Sequence, residues 1–98
     1  MWILQSPNGR SGPLFFRVLP GAIKTVGRAR RADFIVDAAL VSRVHCRLTA
    51  TDDIVEVVDL SSTNGTFVND KRVKKARLGA GDRLRVGRVE LTIDKKKR

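Results

Sequence analysis

Apolar residues occur along the chain in short runs that are separated by Gly, Pro, Asn, Asp or Ser at close intervals. Residues branched at the β-carbon are frequent in these runs, as is typical of strands. In Arg83 to Val86 and in Val89 to Ile93, apolar and polar residues alternate, so each strand would bury one face. The pattern predicts nine strands: Trp2 to Gln5, Leu14 to Leu19, Lys24 to Val26, Phe34 to Val36, His45 to Thr49, Ile54 to Leu60, Thr66 to Val68, Arg83 to Val86 and Val89 to Ile93.

This series of short strands predicts an all-β protein, in which two antiparallel sheets pack face to face as a β-sandwich. Turn signals such as Asn8-Gly9 and Asn64-Gly65 separate the strands, and the loops at the ends of the sheets are where function is expected. Residues 38–41 and 76–80 could each form one helical turn, but both are too short to stand as elements.

The chain has 98 residues, which suit a single domain; we place it at residues 1–94 and interpret residues 95–98 as a basic tail or the start of a linker. Its 20 Lys and Arg against 10 Asp and Glu give a formal net charge of +10. An excess of this size predicts an anionic partner, but nucleic acid, a membrane surface and a phosphorylated protein would all satisfy it.

The chain contains one cysteine, Cys46, and one histidine, His45, which exclude an internal disulfide and an ordinary Cys and His zinc site. A reducing compartment is therefore expected. No glycine-rich nucleotide motif is present and no apolar run is long enough to cross a bilayer. We expect no cofactor and no metal, no membrane partner, and a monomer when the domain is isolated.

Three predicted loops carry residue types that bind phosphate. They are Val26-Gly27-Arg28, Leu40-Val41-Ser42-Arg43-Val44-His45 and Ser61-Ser62-Thr63-Asn64-Gly65-Thr66. A guanidinium can contact phosphate through two N–H groups, hydroxyls can donate to the remaining oxygens, and glycine turns bring backbone N–H groups close. These loops together predict a site for a single phosphate group.

The same segments resemble the forkhead-associated (FHA) domain family. Gly27-Arg28, Ser42 with His45 three residues later, and Ser62-Thr63-Asn64-Gly65-Thr66 occur in the order and at the spacing typical of that family. The resemblance implies a β-sandwich of about eleven short strands. It also implies an activity, which is the docking of phosphothreonine peptides without catalysis.

Family roles can be assigned to the matching positions of this chain. The resemblance implies that Arg28, Ser42 and Thr63 contact the phosphate and that Arg43 adds a further contact. Asn64 would hold the backbone of the bound peptide.

The remaining family positions imply support and selectivity. Gly27, His45 and Gly65 would support the binding loops, with His45 bracing them from behind. Leu40 and Val41 would lie on the loop that selects the peptide residue three beyond the phosphothreonine.

A narrower resemblance links the N-terminal part of the chain to nibrin-like proteins of DNA double-strand-break repair. Met1-Trp2, the segment Phe16 to Arg28 and the segment Val41 to His45 carry it. It implies phosphorylated partners in the DNA-damage response and a location in the nucleus.

Two other functions remain open at this point. The basic run could bind DNA independently of sequence, through Lys71, Arg72, Lys74, Lys75 and Arg77. The same run could instead be a solvated, charged sheet edge that discourages aggregation. The second function is assembly through an exposed sheet face.

Five aromatic residues could stack on bases, but each lies in or beside a predicted strand, so we expect them in the core: Trp2, Phe15, Phe16, Phe34 and Phe67.

Overall fold

A computed structural model describes residues 1–7 and 12–96; the predicted turn at Asn8-Gly9 and the last two residues of the predicted tail lie outside this part. The described residues form no helix, so none of them contributes a helix that could cross a membrane. They form eleven strands: β1 (Trp2–Ser6), β2 (Leu14–Val18), β3 (Ile23–Gly27), β4 (Phe34–Ile35), β5 (Cys46–Ala50), β6 (Val55–Asp59), β7 (Thr66–Val68), β8 (Lys71–Val73), β9 (Lys75–Leu78), β10 (Arg83–Val86) and β11 (Val89–Lys95).

The strands form two sheets, which confirms the all-β sandwich. One sheet has six strands in the order β2-β1-β11-β10-β7-β8, and the other has five in the order β4-β3-β5-β6-β9. All pairs are antiparallel except β3 with β4, which run parallel. β11 continues to Lys95, opposite Trp2, so it extends one residue into the predicted tail.

The core lies between the sheets and is built by the alternation seen in the sequence. Leu84 and Val86 of β10 and Leu91 and Ile93 of β11 are fully buried, and the residues between them face outward. Side chains of the two sheets also contact each other across the core. The rings of Phe16 and Phe34 stack with their centroids 4.6 Å apart.

Two strands were missed by the apolar pattern, β8 and β9. Both are rich in Lys and Arg, and only Val73, Ala76 and Leu78 turn apolar side chains inward. β9 also covers residues 76–78, so the segment that could have formed a helical turn belongs mostly to a strand. β8 and β9 are edge strands of different sheets, which confirms the charged-edge interpretation of this run.

The prediction that all five aromatic residues lie in the core is wrong for two of them. Phe15 is 52% exposed, because successive residues of a strand face opposite sides and its neighbour Phe16 faces the core. Phe67 is half-buried, and it lies opposite Arg72 and Arg85 in the register of the six-stranded sheet.

Truncation of Trp2 should strongly destabilise the sandwich. Its side chain is 1% exposed, and its indole N–H donates to the Thr51 carbonyl over 2.8 Å, which links β1 to the turn after β5. Trp2→Ala should lower the free energy of unfolding by about 3–5 kcal/mol, measured by denaturant titration followed by circular dichroism. Phe15→Ala serves as the control, because Phe15 is largely exposed. An equal loss in both variants would contradict this assignment.

Candidate functional site

Three loops meet at one end of the sandwich. Loop A (residues 28–33) joins β3 to β4, loop B (residues 36–45) joins β4 to β5, and loop C (residues 60–65) joins β6 to β7. The Arg28 N–H donates to the Ser42 carbonyl over 2.9 Å, and the Ala29 N–H donates to the Arg43 carbonyl over 3.0 Å. These backbone bonds join loop A to loop B, so the first two segments of the sequence motif form one surface.

Gly27 allows loops A and B to approach each other this closely. A Cβ at this position would lie 2.1 Å from the Arg43 carbonyl oxygen, which belongs to the backbone and cannot move without shifting loop B. Any larger residue would therefore separate the two loops. Only glycine, which has no Cβ, therefore fits at position 27.

A surface cavity of about 520 Å³ lies between the loops. All five residues predicted to contact a phosphopeptide line it: Arg28, Ser42, Arg43, Thr63 and Asn64. They come from three loops that are distant in sequence, and the fold brings them together. Residues 37–41 line one side of the same cavity.

The Arg28 guanidinium is oriented by the backbone of loop B. Its Nε–H donates to the Val41 carbonyl over 3.1 Å. Because a guanidinium has five N–H donors in a fixed plane, this bond restrains the group and leaves both terminal nitrogens for an anion. An exposed arginine is thus held in position before any ligand arrives.

Ser42 connects loop B to loop C through its side chain. The Thr63 N–H donates to Ser42 Oγ over 3.0 Å. Since a hydroxyl can accept and donate at the same time, the Ser42 O–H keeps its own proton available for an anion in the cavity.

His45 lies behind the two loops and is fully buried. The Ser42 N–H donates to His45 Nδ1 over 3.0 Å, and His45 Nε2 lies 2.8 Å from the Gly65 carbonyl oxygen. Because a backbone N–H can only donate, Nδ1 must be the acceptor, and Nε2 must carry the proton that is donated to Gly65. The imidazole is therefore neutral, in a single tautomer.

Asp59, at the end of β6, organises loop C. Its carboxylate accepts hydrogen bonds from Ser62 Oγ, from the Ser62 N–H over 3.2 Å and from Thr66 Oγ1 over 2.7 Å. Partial burial acts to raise the pKa of Asp59, but these hydrogen bonds outweigh it and hold the pKa below its usual value. Asp59 was not among the predicted site residues, although it stands three positions before Ser62, a spacing at which an aspartate side chain can accept from the backbone N–H.

Cys46, the first residue of β5, is a fully buried core residue. Burial, together with the charge of Asp59, raises the pKa of its thiol to about 12. The thiol therefore stays protonated and unreactive at neutral pH.

Asn64 and Leu40 contact each other across the cavity. The Asn64 side-chain amide donates to the Leu40 carbonyl over 3.1 Å, and Leu40 adopts a left-handed backbone with φ of 72°. This conformation is uncommon for a residue other than glycine, so the bond from Asn64 supports it. The second amide N–H and the side-chain oxygen of Asn64 remain for a peptide.

Loop B presents only one of the two predicted selectivity residues. Leu40 is 45% exposed, whereas Val41 is 3% exposed and packs into the core. Asp37 is exposed on the same side of the cavity and was not singled out in the sequence. Gly87, in the turn between β10 and β11, lies close beneath this part of loop B. A Cβ at Gly87 would lie only 3.0 Å from the Ala39 carbonyl oxygen, so the lack of a side chain allows this close approach.

The charges that line the cavity suit an anionic ligand. Arg28 and Arg43 supply two cations against the single carboxylate of Asp37. Within residues 1–7 and 12–96, no cluster of three or more His, Cys, Asp or Glu could hold a metal ion.

The basic run proposed for DNA is divided between the edge strands of the two sheets. Lys71 and Arg72 lie on β8 at the edge of one sheet, whereas Lys75 and Arg77 lie on β9 at the edge of the other. Lys75 Nζ also lies 3.6 Å from the Glu56 carboxylate. This division does not support a continuous track for a phosphodiester backbone.

Comparison with known proteins identifies relatives of the chain. The sequence model of the FHA domain family matches residues 24–87. The glycogen accumulation regulator GarA of Mycobacterium tuberculosis is 36% identical over 91 residues, which cover 93% of this chain and 54% of GarA. The chain spans about half the length of GarA and of the Corynebacterium diphtheriae relative, and 10% of the length of a third curated relative.

Two solved structures have the same fold. The crystal structure of the FhaA FHA domain in complex with the intracellular domain of Rv3910 is 30% identical, with a TM-score of 0.84, and covers 95% of this chain and 99% of that chain. An FHA domain studied for phosphothreonine-dependent interactions is also 30% identical, with a TM-score of 0.83, and covers 99% and 98%.

These relatives correct the narrower part of the sequence interpretation. The matching curated proteins come from Mycobacterium and Corynebacterium, and bacteria have no nucleus. The prediction of a nuclear location is therefore wrong, and the relatives do not support a nibrin-like protein of the DNA double-strand-break response. Both predictions rested on three short segments of the chain.

Replacement of Asp59 should destabilise the protein in a pH-dependent way. Because the folded state lowers its pKa, the ionised carboxylate stabilises the fold at neutral pH, and this contribution disappears as the pH falls through the folded pKa. Asp59→Asn should lower the free energy of unfolding by about 1–3 kcal/mol at neutral pH. The difference from wild type should shrink below about pH 4.

The measurement is denaturant titration at several pH values, with Asp53→Asn as the control because Asp53 is an exposed turn residue. A destabilisation by Asp59→Asn that stays constant down to low pH would contradict the role given to the carboxylate.

Proposed function

The chain belongs to the forkhead-associated (FHA) domain family, and we propose that it binds phosphothreonine on a partner protein and acts by docking rather than by turnover. The observation that carries this proposal is the Arg28 guanidinium, which the Val41 carbonyl orients at a cavity that Ser42 and Thr63 also line. FHA domains are interaction modules, and an FHA domain with 30% identity was studied for phosphothreonine-dependent interactions.

The phosphate would be held by charged and neutral donors from all three loops. Arg28 donates from its terminal nitrogens, and the Ser42 and Thr63 hydroxyls donate to the remaining oxygens. Arg43, which is exposed at the same cavity, adds a second positive charge. Hydrogen bonds between ionised groups are shorter and stronger than neutral ones, so Arg28 and Arg43 should contribute most of the affinity.

The peptide backbone would lie beside Asn64. One N–H of this side chain donates to the Leu40 carbonyl, so the position of the amide is fixed before the peptide binds. Its remaining N–H and its oxygen can pair with the C=O and N–H groups of an extended peptide. A peptide bound in this way gains affinity from its main chain, whatever its side chains are.

The neighbouring peptide position would contact the exposed Leu40 beside Ala38 and Ala39. Asp37 lies on the same side of the cavity, and its carboxylate would repel an acidic peptide residue. We therefore propose an apolar or basic residue at the peptide position that reaches this side.

The relatives support a role in bacterial signalling. GarA is named a regulator of glycogen accumulation, and corynebacterial relatives are named oxoglutarate dehydrogenase inhibitors. The related FhaA domain forms a complex with an intracellular domain of another protein. We propose that this domain likewise recruits a phosphorylated protein, and that such recruitment regulates the activity of its partner.

Arg28→Ala should abolish most phosphopeptide binding without unfolding the domain. Each hydrogen bond to a charged group contributes about 1.5–3 kcal/mol, so the dissociation constant should rise at least about tenfold. The measurement is isothermal titration with a phosphothreonine peptide and its unphosphorylated twin. Arg47→Ala is the matched control, because Arg47 is an exposed arginine of β5 that does not line the cavity.

The thermal unfolding midpoint of both variants should stay close to that of the wild type. The proposal fails if the wild type binds the two peptides equally, or if Arg28→Ala and Arg47→Ala weaken binding by the same factor.

A further inference from the structure

We propose that a second anion-binding surface lies beside loop C and takes an acidic segment of the same phosphorylated partner. This surface, which we name the arginine ladder, consists of Arg72 of β8, Phe67 of β7 and Arg85 of β10. The inference rests on the proposed function, because it assigns to one partner both the phosphothreonine and the acidic segment.

Strand register places the three side chains in one row. Phe67 lies opposite Arg72 on β8 and opposite Arg85 on β10. The residues that flank Arg85, Leu84 and Val86, are fully buried, so Arg85 and its row face outward. Neighbouring strands lie about 4.8 Å apart, so the two arginines flank the ring at a separation of about 10 Å between their backbones.

The ring of Phe67 holds one of the two guanidinium groups in place. The Arg85 guanidinium carbon lies 4.0 Å from the Phe67 ring centroid, and its Nη1 donates to the Gly87 carbonyl over 3.4 Å. A guanidinium stacked on a ring keeps its edge N–H groups directed outward in the plane. The stacked group is therefore restrained and still able to donate to a carboxylate.

The carboxylates near this surface serve another arginine. Asp70 and Glu90 lie 3.4 Å and 3.9 Å from the Arg83 guanidinium. Among residues 1–7 and 12–96, no carboxylate lies within ion-pair distance of Arg72 or Arg85. Glu90 lies opposite Arg85 in the register of β10 and β11, but it is paired with Arg83 instead. Arg72 and Arg85 thus stand on either side of one ring without an ion pair of their own, and an acidic ligand could supply one.

The arginine ladder is continuous with the phosphate cavity at Gly65. A Cβ on Gly65 would lie 2.6 Å from Arg72 Nε, so the Arg72 side chain crosses the backbone of the residue that follows Asn64. Asn64 itself lines the cavity. An extended peptide spans about 3.3 Å per residue, so three or four residues leaving the cavity past Asn64 would cover the ladder.

An acidic peptide matches this surface better than a nucleic acid does. Arg85 already covers a face of the Phe67 ring, which reduces the surface on which a base could stack. Single-stranded nucleic acids also need a basic groove that follows several phosphates, whereas the neighbouring basic residues are divided between two sheet edges. The carboxylates of an acidic peptide need only the exposed N–H edges of the two guanidinium groups as hydrogen-bond donors.

The experiment compares three phosphothreonine peptides that share one core sequence. One has neutral Gln flanks, one has three Glu residues before the core, and one has three Glu residues after it. In isothermal titration at about 50 mM salt, where surface charges are weakly screened, one of the two acidic peptides should bind the wild type about five- to tenfold more tightly than the neutral one. Arg72→Gln/Arg85→Gln should remove this gain and keep the affinity for the neutral peptide.

A variant with the same loss of charge controls for long-range attraction. Arg17→Gln/Arg47→Gln removes two exposed arginines, one from β2 at the far edge of the same sheet and one from β5 of the other sheet. This control should retain the gain from the Glu flank. Equal loss in the two double variants overturns the arginine ladder, and so does equal affinity of the wild type for acidic and neutral peptides.

The remaining outcomes separate this inference from the proposed function. A wild type that binds the neutral peptide equally well with and without its phosphate refutes the proposed function itself. A wild type that requires the phosphate but ignores the Glu flanks refutes only the ladder. A single-stranded oligonucleotide that displaces the acidic peptide, with loss of its own binding in Arg72→Gln/Arg85→Gln, refutes the choice of an acidic segment as occupant.

Discussion

The buried imidazole of His45 is the interaction on which the functional end of this molecule depends. It accepts from the Ser42 N–H in loop B and donates to the Gly65 carbonyl in loop C, so one neutral ring fixes two loops that are about 20 residues apart in sequence. With both loops fixed, Ser42 Oγ can accept from the Thr63 N–H. The proposed phosphate donors are therefore arranged before a ligand arrives, which would lower the entropic cost of binding.

The basic residues discussed above lie in three separate regions of the structure. Most of the basic run from Lys71 to Arg77 lies on the edge strands β8 and β9, where positive charge opposes edge-to-edge association. Arg28 and Arg43 lie at the phosphate cavity, and Arg72 and Arg85 lie on the arginine ladder. A net charge of +10 predicts only that an anion binds. Under the proposed function, the contact of Arg28 with the Val41 carbonyl decides where the anion binds.

Much of the fold and of the cavity could be predicted from the sequence, because short apolar runs between turn residues mark nine of the strands and a spaced motif marks the loops. The edge strands β8 and β9 were not predictable in this way, since an edge has little apolar surface to bury. Asp59 and Gly87 were missed because they contact the loops from the end of β6 and from the turn between β10 and β11, and only the three-dimensional structure reveals these contacts. Short shared motifs indicated the family correctly but not the lineage.

The most direct test of this account is nitrogen NMR of the His45 imidazole, recorded at neutral pH with and without a phosphothreonine peptide. The account predicts one neutral tautomer, with Nδ1 unprotonated and Nε2 protonated, and the same state after the peptide binds. A charged ring, an average of two tautomers, or a change of tautomer on binding would contradict the claim that His45 fixes the phosphate loops in advance.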